Sequence, residues 1–181
     1  LSELKKSFII TSNIGLIFER PDYLIARLGN NAPKLTDFSG NPAHMPPLNF
    51  GAGEYHRAEW TKLQSSPHYG KDDISGGIRQ SLERMIELHE FLSTNGIKMS
   101  IAVYPWPMQL LDGNKNHRGT QVWADFCEKR CYEYIDANPV FFAEADRSSV
   151  DEMIVRNYIH NDVHFSKHGH QLLFSEIQEA L

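Results

Sequence analysis

The residues with the clearest capacity for chemistry lie close together near the end of this 181-residue chain. Residues 160–170 read His-Asn-Asp-Val-His-Phe-Ser-Lys-His-Gly-His and hold four of the nine histidines, together with the carboxylate of Asp162. Imidazole exchanges protons near neutral pH and is also a common metal ligand. The segment therefore indicates either a proton-transfer site or a metal site.

Three interpretations of this segment compete. His160, Asp162 and His164 could bind zinc or iron, which suit imidazole and carboxylate ligands. His168 and His170, however, lie two residues apart at a predicted helix start, where their side chains diverge, and no second ligand cluster stands out. In the second interpretation the histidines simply lie on a solvated loop.

The third interpretation, which we favour, makes His164 a catalytic acid–base residue. A neighbouring carboxylate fixes the tautomer of such a histidine and stabilises its imidazolium form. Asp162 and His164 are two residues apart, so on an extended segment their side chains point to the same side. Ser166 is the predicted N-cap of the last helix, and Gly169 permits that helix to approach its neighbours closely.

A second candidate segment, Tyr104-Pro105-Trp106-Pro107-Met108, directly follows the clearest predicted strand. Open parallel sheets bind ligands beyond the carboxyl ends of their strands. Tyr104 and Trp106 on this stiff segment predict the wall of a sugar or lipid pocket, and the alternative is a rigid turn that caps the core. His56 and Trp60 fit either a binding cleft or a surface helix.

Helix–strand units must position these segments. Apolar residues at helical spacing over 78–92 and alternating apolar residues over 97–103 predict the first unit. The second helix–strand unit is predicted as a helix over 123–135 and a strand over 140–143. A loop over 146–162 and a closing helix follow it. This pattern predicts an α/β domain with a mainly parallel sheet.

The earlier part of the chain is less regular. The first thirty residues read mostly as helix, with a strand at 8–11 as the alternative. A Pro-rich loop is expected over about 31–75, interrupted by a short helix over 54–63. Cys127 and Cys131 fall in the predicted second helix, where a disulfide is geometrically poor, so we expect two small apolar side chains on a packed face.

Composition excludes several classes. Residues of the AVILMFWYC set make up 41% of the chain, which is ordinary for a globular domain. The net charge of −5, without a basic cluster, argues against a nucleic-acid partner. No apolar stretch approaches the length of a transmembrane helix. The sequence does not indicate an oligomeric state.

The last block carries a family resemblance. Asp162-Val163-His164-Phe165, followed by Gly169-His170, resembles the final motif of the SGNH/GDSL hydrolase superfamily, in which Asp and His complete a Ser-His-Asp triad. In most of that family the numbers of the Asp and the His differ by three, whereas those of Asp162 and His164 differ by two. This shorter spacing is similar to the branch containing the alginate O-acetyltransferases and their relatives in bacterial polysaccharide clusters. Residues 101–107 resemble the strand and loop that precede this motif, and the resemblance covers about residues 78–181.

The resemblance implies a flavodoxin-like three-layer sandwich with a mainly parallel sheet, of which this chain is the whole or the C-terminal part. It also implies an ester hydrolase or O-acyltransferase that acts on an acylated carbohydrate, without cofactor or metal, in the periplasm or cell envelope. Asp162 and His164 take the catalytic positions. A non-catalytic carbohydrate-binding or assembly domain and a metal-dependent hydrolase remain alternatives.

The nucleophile block of that family is missing. Neither Gly-Asp-Ser nor Gly-x-Asn-Asp occurs in the sequence, and the chain begins at Leu1 rather than Met. We expect the nucleophilic serine to lie upstream of Leu1. Ser12, between a possible strand and a possible helix, is the alternative within the chain, although a turn or capping serine explains it equally well.

Overall fold

A parallel β-sheet organises the computed structural model, which describes residues 7–11 and 47–181. Within these residues the strands are β1 (Ser7–Thr11), β2 (Lys98–Val103) and β3 (Tyr134–Asp136), in the spatial order β1-β2-β3. Both pairings are parallel, and Ile101 is in register with Ile10 on one side and Tyr134 on the other. The predicted α/β class is confirmed, and the carboxyl ends of the strands lie at one edge of the sheet.

Helices connect and flank the strands. In the described residues the α-helices are α1 (Ala52–Ala58), α2 (Asp73–Thr94), α3 (Pro107–Asp112), α4 (Arg118–Cys127), α5 (Asn138–Arg147), α6 (Val150–Asn157) and α7 (Lys167–Ala180). Short 3-10 helices at Glu59–Thr61 and Pro67–Tyr69, together with α1, occupy part of the segment predicted as a loop. Residues 31–46 of that segment lie outside the described residues.

The first helix–strand unit is confirmed as α2 and β2. Its helix begins earlier than predicted, at Asp73, and Gly96 ends the turn after it with a φ of 67°, a backbone conformation that glycine adopts without strain. β1 confirms the strand alternative at residues 8–11. The predicted helix over residues 12–30 lies outside the described residues.

The second unit was predicted incorrectly. Helix α4 ends at Cys127, and β3 occupies the end of the predicted helix over 123–135. The apolar run 140–143 belongs to helix α5 rather than to a strand. Pro139 stands in the first turn of α5, where its fixed φ favours a helix and its missing N–H costs nothing.

The segment predicted as a loop over 146–162 also contains a helix, α6. Ser149 accepts a hydrogen bond from the backbone N–H of Glu152, and the Glu152 side chain accepts one from the backbone N–H of Ser149. This reciprocal capping box satisfies donors that the first turn of a helix otherwise leaves unpaired. The loop that carries the candidate catalytic residues is correspondingly short.

Cys127 and Cys131 form a disulfide bond, contrary to the prediction of two free, packed cysteines. Because α4 ends at Cys127, Cys131 lies in the turn beyond the helix, and the geometric argument against an intrahelical bond does not apply. The backbone N–H of Tyr132 donates to the carbonyl oxygen of Met99 at 2.6 Å, so the bridged turn leads directly into the sheet.

Strand β2 lies between two hydrophobic clusters. Ala102 belongs to the larger cluster, whereas Met99, Ile101 and Val103 belong to the smaller one. The larger cluster draws buried side chains from α3, α5, α6 and α7, and the smaller one from α2 and α4. Burying a large aliphatic side chain contributes about 1.5–3 kcal/mol, so these contacts fix β2 and the loop that follows it.

None of the helices in the described part of the chain combines the length and the apolar character needed to cross a bilayer.

Candidate active site

The loop between α6 and α7 carries Asp162 and His164 and is closed at its base. Tyr158 and Phe165 form an isolated antiparallel bridge, and the N–H of Ile159 donates to the carbonyl oxygen of His164 at 2.9 Å. The N–H of Asp162 donates back to the carbonyl oxygen of Ile159, also at 2.9 Å. The segment is therefore a tight turn, and the prediction of an extended conformation is wrong.

The turn nevertheless brings the two side chains together. Nδ1 of His164 lies 2.5 Å from Oδ1 of Asp162, and the same oxygen accepts the backbone N–H of His164 at 3.0 Å. Asn161 makes this possible with a φ of 59°, a left-handed conformation that asparagine tolerates better than most residues. The carboxylate thus fixes both the backbone and the ring of the histidine.

This arrangement leaves Nε2 of His164 available for chemistry. When Nδ1–H donates to Asp162, neutral imidazole carries its lone pair on Nε2. The His164 side chain is 77% exposed, and among the described residues Nε2 makes no hydrogen bond. Partial burial raises the pKa of Asp162, but the hydrogen bonds from the His164 side chain and backbone outweigh it, so the pKa lies below its ordinary value. The carboxylate is ionised at neutral pH.

Helix α7 holds the far end of the loop. Ser166 is its N-cap, as predicted, and its hydroxyl oxygen accepts the N–H of His168 at 3.1 Å while donating to the carbonyl oxygen of Arg156 at 2.6 Å. Gly169 packs against the end of α6, where an added Cβ would lie 2.1 Å from the carbonyl oxygen of Asn157. The predicted role of Gly169 in a close approach is confirmed.

His170, in the first turn of α7, packs against the ring of Phe165. The two rings meet edge to face at 5.6 Å between centroids. Partial burial, and secondarily the nearby His164, lower the pKa of His170 and so favour its neutral form.

The loop that follows β2 contacts the base of the loop of residues 159–164, which carries Asp162 and His164. The buried hydroxyl of Tyr158 donates to the carbonyl oxygen of Pro105 at 2.5 Å, and the rings of Tyr104 and Phe165 lie 4.5 Å apart. The structure therefore brings together the two segments that the sequence singles out, at the carboxyl end of the central strand.

Tyr104 and Trp106 also line a small cavity of about 50 Å³, which is room for one or two water molecules or a small substituent. Other rings on its wall are those of Trp60, His117 and Trp123. Asp162 and His164 do not line it. The aromatic wall predicted at Tyr104 and Trp106 is thus part of a real concavity, next to the catalytic loop rather than beneath it.

Two polar atoms of the cavity residues are buried and have no hydrogen-bond partner among the described residues: Nδ1 of His117 and Nε1 of Trp123. The other ring nitrogen of His117 lies 3.0 Å from Oδ1 of the buried Asn138. Nδ1 of His117 packs against Gly119, where an added Cβ would lie 3.1 Å from it, so the unpaired atoms lie within the wall of the cavity rather than on its accessible surface. No sequence pattern marked these atoms, because α4 and the loop before it carry no motif.

The alternative metal site is not formed by the residues proposed for it. His160, Asp162 and His164 do not bring one ligand atom each within 4.8 Å of one another. Among the described residues, a group that could hold a metal ion is instead formed by His56, Glu59 and His68. Ser12 lies outside the described residues.

Comparisons with models of protein families, with curated proteins and with solved structures find no significant match to this chain.

Proposed function

We propose that the chain carries the acid–base half of an SGNH-type ester hydrolase or O-acyltransferase that acts on an acylated carbohydrate. The observation that supports this proposal most directly is the contact between Asp162 and His164, with Nε2 of the histidine exposed. The resemblance of the Asp-Val-His-Phe motif to the SGNH family supplies the reaction class.

In this proposal Nε2 of His164 takes the proton of a serine hydroxyl as its oxygen attacks the acyl carbonyl. Ionised Asp162 stabilises the imidazolium that forms. His164 then gives the proton to the departing sugar oxygen, which leaves an acyl-enzyme. Water or a second hydroxyl attacks that ester, His164 removes its proton, and the serine is restored. The serine is proposed to come from a Gly-Asp-Ser block that residues 1–181 do not contain.

Tyr104 and Trp106 are the proposed contact residues for the sugar, because they offer flat apolar faces that suit the faces of pyranose rings. The cavity that they border has a volume of about 50 Å³, so it would take a small substituent of the sugar, such as an acyl methyl group, while the ring lies outside it. The ring of Tyr104 contacts Phe165, the residue after His164, so a sugar on this face would lie beside the dyad.

The proposed architecture is a flavodoxin-like sandwich with helices on both sides of the sheet. The two hydrophobic clusters that meet at β2 support it, because α2 and α4 contribute to one while α3, α5, α6 and α7 contribute to the other. The disulfide between Cys127 and Cys131 supports an oxidising compartment such as the periplasm, which is the location that the family resemblance implies.

The test uses the complete product of the gene and measures release of acetate from p-nitrophenyl acetate and from O-acetylated alginate oligosaccharides. His164→Ala and Asp162→Asn are each expected to lower kcat by about 10⁴-fold, because the triad acts as a unit. His168→Ala is the matched control, since His168 is an exposed histidine of the same segment and does not contact the dyad.

Labelling with a fluorophosphonate adds a second measurement. A serine of the complete chain is expected to react, and the reaction is expected to slow in the His164 variant. Full esterase activity in His164→Ala would contradict the proposal, as would complete loss of activity on treatment with a chelator.

The cavity also favours a second function, carbohydrate binding without catalysis. The two functions differ in what each variant does. A binding domain loses affinity for the oligosaccharide in Trp106→Ala, keeps it in His164→Ala, and shows no esterase activity in any form. Isothermal titration with O-acetylated alginate oligosaccharides measures that affinity.

A further inference from the structure

A second cluster of ionisable side chains lies outside the catalytic loop, where α1 and the two 3-10 helices meet. Nδ1 of His56 lies 3.1 Å from Oε1 of Glu59, and the rings of His56 and His68 stack with 3.4 Å between their centroids. One ligand atom from each of the three residues lies within 4.8 Å of the others. Its first and last members, His56 and His68, are twelve positions apart in sequence.

These distances suit a single transition-metal ion. Zinc–ligand bonds of about 2.0–2.2 Å at a tetrahedral angle place two ligand atoms roughly 3.4 Å apart. The separation between His56 and Glu59 is close to that value. His68 is exposed, so its ring can turn towards an ion without displacing the core. Two imidazoles and one carboxylate are a donor set that zinc accepts readily.

The remaining oxygen of Glu59 is already engaged. Oε2 accepts a hydrogen bond from the hydroxyl of Ser66, a residue that is only 6% exposed. Both carboxylate oxygens of Glu59 are therefore held in place, one by His56 and the other by Ser66. An outer hydrogen bond of this kind orients a ligand for its metal, and its loss usually costs about 10–100-fold in affinity.

The backbone around the cluster is held in place independently of any ion. The hydroxyl of Tyr69 donates to the carbonyl oxygen of Arg57 at 2.7 Å and accepts the N–H of Trp60 at 3.3 Å. These bonds join the segment that carries His68 to the one that carries His56 and Glu59. The segments that carry the three side chains are therefore held together before any ion binds, and only the exposed ring of His68 has to turn, which limits the entropic cost of binding.

We propose that His56, Glu59 and His68 form a zinc site, with water in the fourth position. The site is separate from the dyad of Asp162 and His164 and does not depend on the proposed function. The ion would link α1 to the 3-10 helix at Pro67–Tyr69 and so stabilise the folded state by an amount that rises with the logarithm of its concentration relative to its Kd.

The experiment measures Zn²⁺ and Co²⁺ binding to the metal-free full chain, by competition with a chromophoric chelator and by visible absorption of the cobalt form. One equivalent of Zn²⁺ and the strong visible bands of four-coordinate Co²⁺ are expected. His68→Ala is expected to weaken Zn²⁺ binding by more than about 100-fold and Ser66→Ala by about 10–100-fold. Zn²⁺ should raise the Tm of the unmodified chain but not that of His68→Ala.

Two variants serve as matched controls. His168→Ala removes another exposed histidine, and His164→Ala removes the histidine of the catalytic loop; both should bind Zn²⁺ within about twofold of the unmodified chain. Circular dichroism shows whether each variant folds. Unchanged Zn²⁺ affinity in folded His68→Ala would overturn the proposal, and so would loss of binding in His164→Ala.

Discussion

The hydroxyl of Tyr158 donates a hydrogen bond of 2.5 Å to the carbonyl oxygen of Pro105, and both groups are buried. Burial, and secondarily the neighbouring Tyr104, raise the pKa of Tyr158 well above its ordinary value, so the phenol remains protonated and remains a donor. This bond connects the segment that follows β2 with the base of the loop that carries Asp162 and His164.

Tyr158→Phe is expected to lower the free energy of unfolding by about 1–3 kcal/mol, because it leaves the buried carbonyl of Pro105 without a donor. Urea denaturation followed by circular dichroism measures this. Tyr132→Phe is the control, because the side chain of Tyr132 is half exposed. Removing its hydroxyl should change the free energy of unfolding by no more than about 0.5 kcal/mol. Equal losses of unfolding free energy in the two variants would show that the hydrogen bond to Pro105 does not stabilise the fold.

Gly169→Ala is expected to destabilise the fold by about 1–3 kcal/mol, because overpacking forces the backbone apart. The added methyl would lie 2.1 Å from the carbonyl oxygen of Asn157 and 2.6 Å from Cδ1 of Phe165. Gly53→Ala is the matched control, since nothing lies within 4 Å of a Cβ at that helical position. Gly53→Ala is expected to raise the free energy of unfolding by about 0.5–1 kcal/mol. The midpoints of thermal and urea unfolding should therefore fall in Gly169→Ala and rise in Gly53→Ala.

Asp162 makes a contribution to stability that depends on pH. Its pKa in the folded state is lower than the ordinary value of 3.8, so the contribution is fully present above that value and disappears as pH falls through the folded pKa. The difference in unfolding free energy between the unmodified chain and Asp162→Asn should therefore shrink as pH falls below about 3.8. Urea unfolding of both chains at a series of pH values measures this difference, and a difference that does not fall in acid would contradict the prediction.

Reduction of the Cys127–Cys131 disulfide is expected to lower the free energy of unfolding by about 2 kcal/mol, the value that loop-closure entropy gives for a four-residue loop. Urea unfolding with and without dithiothreitol measures the change. The double variant Cys127→Ser/Cys131→Ser should not respond to the reductant. An unmodified chain that is equally insensitive would contradict the assignment of a stabilising bond.

The elements predicted correctly from the sequence are those with a complete local signal. The apolar stripe of α2 spans several turns, β2 alternates over its whole length, and Ser166 supplies the N-cap signal of α7. Asp162 and His164 were found from residue type and spacing, although the backbone between them turns where an extended segment was expected. A side-chain oxygen two residues before an N–H favours this kind of turn, and it brings the same two groups together.

The errors arise where a local signal is short or ambiguous. Four apolar residues over 140–143 fit a strand as well as a helix, and only the position of Pro139 points to α5. Strand β3 is three residues long and is defined by its pairing with β2, which no local pattern records. The contact of His68 with His56 depends on how the chain folds back around Pro67, so the cluster with Glu59 could not be read from spacing.

The bridge between Tyr158 and Phe165 has a consequence for how this region can change. Because it joins the residues at both ends of the turn, it holds the end of α6 beside the start of α7 independently of the side chains at 159–164. Substitutions within residues 159–164 are therefore expected to change the proposed proton-transfer site with little effect on the buried core, whose side chains nearby are those of Tyr158, Phe165 and Leu173.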